Sequence, residues 1–135
     1  MEENEKIIIK IPLLTRSKKN SLQILTNSKT GRPFVAQSKL YKEFEKQCWN
    51  YLYKYQLNID YPVNLKCIFY TPDRRKRDLV NLLNSIQDVL VKCRVISDDN
   101  SNIVQSVDGS RIIYRKDEPE TIIEITRIKG EWYKW

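Results

Sequence analysis

Residues 78–93, DLVNLLNSIQDVLVKC, decide the fold. At about 100° per residue, Leu79, Leu82, Leu83, Ile86, Val89, Leu90 and Cys93 fall on one helical stripe, and a stripe that apolar must be buried. Asp78 is an N-cap residue type, because its short carboxylate can accept an unpaired backbone N–H of the first turn. The helix is expected to end near Cys93 or Arg94. Asp78, Asn81, Ser85 and Asp88 line a polar edge beside the stripe. Val80, Asn84, Gln87 and Val91 make a third, mixed face. A helix with one buried stripe needs a layer to pack against, and the flanking segments read as that layer.

Upstream, Val63 to Tyr70 alternates Val63, Leu65, Cys67 and Phe69 against Asn64 and Lys66, the pattern of a half-buried strand. Ser38 to Tyr55 reads as another helix. Tyr41, Phe44, Cys48, Leu52 and Tyr55 recur at three- and four-residue spacing, while Lys42, Glu43, Glu45 and Lys46 face water. That aromatic stripe is expected to be core rather than a platform for nucleobases. Lys6 to Leu14 is a strand rich in isoleucine, interrupted by Pro12. Thr15 to Arg32 is a loop by composition, either a functional flap or a solvated segment.

Downstream, Ser97 to Asn100 is a turn. Ile103–Val107 and Arg111–Tyr114 are weak strands around Gly109, and Thr121–Ile128 is a strand after a charged turn. The order β-α-β-α-β-β implies an α/β (α+β) fold, a mixed sheet with two main helices packed on one face. One domain over residues 1–135 is expected, with 1–5 and 129–135 as terminal extensions.

Composition restricts the chemistry. Histidine is absent, which removes every mechanism that needs an imidazole base or ligand. Three scattered cysteines, Cys48, Cys67 and Cys93, offer no tetrahedral zinc site and no disulfide framework. They suit buried thiols in a reducing compartment, so a cytoplasmic setting is expected. No apolar run approaches the roughly 18 residues that cross a bilayer, and Met1 to Glu5 lacks the basic region of a secretory signal. A net charge of +7 favours a polyanionic partner.

The most informative segment is Pro72-Asp73-Arg74-Arg75-Lys76-Arg77-Asp78-Leu79. Consecutive cations run from a strand end into a helix N-terminus, and both features attract phosphate. A carboxylate beside such a cluster can hold Mg²⁺ against a phosphodiester. A solvated basic loop with Asp78 as an ordinary cap is the alternative. Asp98-Asp99 is a second acidic pair, either a solvated corner or a cation site. A helix of about 14 residues, some 21 Å long, separates it from Asp78.

The run from Pro72 through Asp78-Leu79-x-Asn81-Leu82, then Asp88-x-Leu90, then Ile96-x-Asp98-Asp99, resembles the core signature of the RusA family of Holliday-junction resolvases. The likeness extends more loosely from about Lys6 to Ile128, with Asn20 and Glu118-Pro119 at family-like places. It implies a homodimer of phage or prophage type that uses Mg²⁺, or Mn²⁺ in its stead, to cut four-way DNA junctions symmetrically. Asp78, Asp98 and Asp99 would then be the catalytic and metal-binding residues, with Asp88 a further candidate ligand. Lys18, Lys19, Asn20, Arg74, Arg75, Lys76, Arg77 and Asn81 would bind DNA.

The sequence departs from the family pattern at two positions. Val80 stands where the pattern has a second aspartate, and Asn84 where it has a lysine one turn on. The two form an i,i+4 pair, so one patch loses a carboxylate and an ammonium together. Altered cleavage, junction binding with little or no cleavage, and a non-enzymatic interaction role all follow from that loss. The tail Trp132-Tyr133-Lys134-Trp135 could stack on unpaired bases, but packing on the domain or a second copy is the expectation.

Overall fold

The computed structural model describes residues 6–18, 22–37 and 39–129. In chain order these form β1 (Lys6–Ile11), β2 (Leu22–Thr26), β3 (Pro33–Gln37), α1 (Lys39–Leu52) with a 3-10 turn at Tyr53–Tyr55, β4 (Val63–Thr71), α2 (Leu79–Lys92), β5 (Val104–Ser106), β6 (Arg111–Tyr114) and β7 (Glu120–Arg127).

The main sheet is built around β4. β7 pairs with it antiparallel, and β1 pairs antiparallel with β7 on the far side. β5 and β6 pair with β4 in parallel, so the sheet is mixed. Register stacks the inward residues in rows: Ile7, Ile125 and Leu65; then Ile9, Ile123 and Cys67; then Ile11, Thr121 and Phe69. Period-2 alternation turns these rows to one face. There they join Tyr41, Phe44, Cys48 and Leu52 of α1 and Leu82, Leu83, Ile86, Val89 and Leu90 of α2 in one core. Ile86 is fully buried, and truncation to Ala would cost about 2–5 kcal/mol through lost transfer energy and a residual cavity.

The mixed α+β architecture and both helix stripes agree with the sequence reading. The element order does not. Residues 15–32, expected to be loop, contain β2, which pairs with β3 in a hairpin separate from the main sheet. The short strand LQILT is flanked by polar residues that dominate a composition window. The turn is closed by Asn27, whose side-chain oxygen accepts the Lys29 and Thr30 N–H groups, and by Gly31 at φ +70°. β1 stops at Ile11 rather than Leu14, since Pro12 has no N–H to give the ladder. Beyond it the chain is tied over the sheet by the buried Thr15–Thr121 hydroxyl pair at 2.6 Å. β4 is more deeply buried than a half-exposed strand, because it is central to the sheet.

Candidate functional site

The basic loop connects β4 to α2. Asp78 caps α2: its Oδ1 accepts the Asn81 N–H at 3.2 Å, and its backbone carbonyl accepts the Leu82 N–H. One carboxylate oxygen is thus engaged by the helix terminus, while the residue as a whole stays exposed.

The cations ahead of it are not equivalent. Arg77 turns inward, its side chain 16% exposed, and grips Asp73 with Nη1 to Oδ1 at 2.9 Å and Nη2 to Oδ2 at 3.4 Å. This hydrogen bond, helped by the Arg75 N–H on the same carboxylate, holds Asp73 below the usual aspartate range. Arg77, expected to contact DNA, is a clamp within the loop. Arg74 lays its guanidinium 4.2 Å from the centroid of the Tyr114 ring. Arg75 has an 85% exposed side chain and only a long 3.9 Å approach to Asp73. Lys76 is exposed. Arg75 and Lys76 are the cations best presented to a phosphate.

The Asp98–Asp99 corner lies past the other end of α2. The chain leaves the helix through Arg94, in a left-handed conformation at φ +59°. It is then stitched to residues 58 and 59 by the Asn58→Arg94, Ile59→Val95 and Ser97→Ile59 backbone hydrogen bonds. Asp98 Oδ1 accepts the Asp99 N–H at 2.7 Å, and Oδ2 accepts the Asn100 amide at 3.1 Å. Partial desolvation, the bond to Asp98 and the charge of Asp88 together raise the Asp99 pKa. Asp88 is thus the carboxylate that α2 brings toward the corner.

Lys18 sits on the same edge of α2. Its N–H donates to buried Ser85 Oγ at 2.8 Å and its Nζ meets Asp88 Oδ2 at 3.2 Å. Lys18, expected to contact DNA, pins the segment after β1 to the helix. Lys19 and Asn20 lie outside the described residues, as does the Trp132–Trp135 tail.

Asp78 caps the N-terminus of α2, while the Asp98–Asp99 pair follows its C-terminus, where the Val95 and Ile96 N–H groups turn back onto the Leu90 carbonyl. Mg²⁺ ligands sit about 2.1 Å from the ion, so the side chains that hold it must converge closely. Among the described residues, no group of three Asp, Glu, Cys or His side chains could hold a metal. Val80, 63% exposed, and exposed Asn84 face outward on α2 as the mixed face requires. The Arg74–Tyr114 stack escaped the sequence reading because only β4–β6 pairing brings those residues together. The Asp73–Arg77 clamp had a weak local signal, an acid and a base four residues apart.

No family model matches the chain. It is 45% identical over 42 residues to the crossover junction endodeoxyribonuclease RusA of Aquifex aeolicus (strain VF5), a match that covers 31% of this chain and 33% of that protein. The chain thus spans about a third of the length of the curated relative it matches. Over that third the chain is RusA-like, which bears out the resemblance read from its motif.

Proposed function

We propose that the chain acts, as a homodimer, as a structure-specific DNA endonuclease that hydrolyses phosphodiester bonds at four-way junctions, with Mg²⁺ or Mn²⁺ as cofactor. The observation that carries this reading is the loop from β4 to α2. It presents Arg75 and Lys76 to solvent and ends on a helix N-terminus capped by Asp78. Two exposed cations beside unpaired backbone N–H groups make a seat for phosphate, with a carboxylate next to it.

That Asp78, Asp98 and Asp99 form no metal-holding group within one chain supports a two-copy site. A second chain is the direct way to set Asp78 of one copy beside the acidic corner of the other. A bound dication supplies Lewis acidity and an activated water. The chain's own groups hold the phosphates, through Arg75, Lys76 and the α2 N-terminus, and keep Asp78 in place through its cap bond. The free, buried thiols fit a reducing, cytoplasmic setting. Among the described residues, no helix is long and apolar enough to cross a membrane.

A second reading, junction binding without cutting, is favoured by the Val80–Asn84 patch, which faces outward with neither carboxylate nor ammonium. A labelled immobile junction incubated with the chain, with and without Mg²⁺ or Mn²⁺, separates the readings. Paired, metal-dependent nicks are expected. Salt-sensitive binding without nicks would select the second reading, and absence of binding would overturn both in favour of a non-enzymatic role.

A further inference from the structure

Two arginine–tyrosine stacks close the end of the sheet from which the basic loop departs. β6 runs parallel to β4 with Thr71 opposite Tyr114, so Tyr114 stands beside the residue where the chain leaves the sheet. Arg74 folds back onto the Tyr114 ring at 4.2 Å, and Arg115 lies 3.9 Å from the centroid of Tyr70. The stacks differ in how their charge is spent. Arg115 also bonds Glu120 at 3.1 Å and meets Glu118 at 3.4 Å, which fixes and neutralises it. Among the described residues Arg74 pairs with no carboxylate, and the Tyr114 side of its stack is 39% exposed.

The frame beneath the Arg74–Tyr114 pair is firm. The Arg115 N–H donates to the Thr71 carbonyl at 2.8 Å, Thr71 Oγ1 donates to the Asp73 carbonyl at 3.3 Å, and Arg77 grips Asp73. A partly exposed tyrosine ring with an unneutralised guanidinium stacked on it therefore sits in a fixed position beside Arg75 and Lys76.

We propose that Tyr114 and Arg74 form a stacking step for an unpaired nucleobase of the DNA held by the basic loop. A phenol ring and a guanidinium plane both stack on any base without reading its edge. A continuous duplex offers no free base face, so the step engages DNA only where pairing is broken, as at a branch point. The inference rests on the DNA reading above and adds which part of the DNA the site grips beyond phosphate.

The test uses the full chain and two probes of equal length, a junction with unpaired bases at its crossover and a fully paired duplex. Tyr114→Leu should weaken binding of the first about tenfold and leave the second within twofold. Tyr114→Phe and Tyr114→Trp, which keep a ring, should bind as wild type, and the melting temperatures of all three confirm folding. Equal affinity of wild type and Tyr114→Leu for the unpaired probe, with salt-dependent binding intact, overturns the stacking step and leaves the DNA reading standing. Equal weakening on both probes also overturns it, since Tyr114 would then act through the loop. Failure of wild type to bind either probe overturns the DNA reading itself.

Discussion

Mixing Asp78→Asn chains with Asp99→Asn chains should restore cutting that neither variant performs alone. Asp78 caps α2 and Asp99 follows its other end, and among the described residues of one chain these carboxylates do not gather into a group that could hold a metal. Two carboxylate oxygens on one Mg²⁺ are at most about 4 Å apart. In the proposed two-copy site, Asp78 comes from one copy and Asp99 from the other. Each homodimer of a single variant lacks one ligand at both of its sites, and loss of a carboxylate from a dication site should slow cleavage a hundredfold or more. In a mixed dimer one site carries both asparagines, and the other carries both aspartates. Random exchange makes about half of the dimers mixed, so about a quarter of wild-type sites return, as single nicks rather than paired cuts. Nicking of a labelled junction, measured after co-refolding the two variants, reads this directly. A mixture as inactive as its parents would place Asp78 and Asp99 in the same site of one chain, or outside the chemistry. Full activity in either single variant would remove that residue from the site.

Arg75→Ala and Lys76→Ala should each flatten the log–log salt dependence of DNA binding by about one unit. Arg77→Ala should instead lower the melting temperature by releasing Asp73; a flatter slope with unchanged melting would make Arg77 a phosphate contact. Val80→Asp with Asn84→Lys should raise cleavage, most of all at low Mg²⁺, where an added carboxylate helps occupancy. Both positions are exposed, so folding should tolerate the pair, and an unchanged rate would show that the natural site is already complete. Burial pushes the Cys48 and Cys67 thiols up to about 12 and raises Cys93. At pH 8 a disulfide reagent should therefore label the folded chain far more slowly than the unfolded one, and prompt labelling of the native protein would contradict that burial.

The layers of this fold were legible because they rest on local periodicity. Leu82, Leu83, Ile86, Val89 and Leu90 must share a side of any helix they form, and Val63, Leu65, Cys67 and Phe69 must share a side of any strand. Asp78 was legible as a cap for the same reason, since its partner N–H is three residues away. The β2–β3 hairpin was not, because polar neighbours outweighed one short strand in any window wide enough to judge.

The sequence by itself determined the two amphipathic helices, the isoleucine-rich strands, the exclusion of histidine chemistry and the motif that resembles the RusA family. Only the tertiary structure decided how the charged residues are used. Arg77 is turned inward onto Asp73, Lys18 is drawn onto Asp88 across 70 residues, and Arg74 is laid over Tyr114. Only the structure, too, kept Asp78, Asp98 and Asp99 from gathering into one metal-holding group within the described chain. Periodicity sets which face a side chain takes, but a charge is committed or left free by partners that strand pairing and helix packing bring from distant parts of the chain.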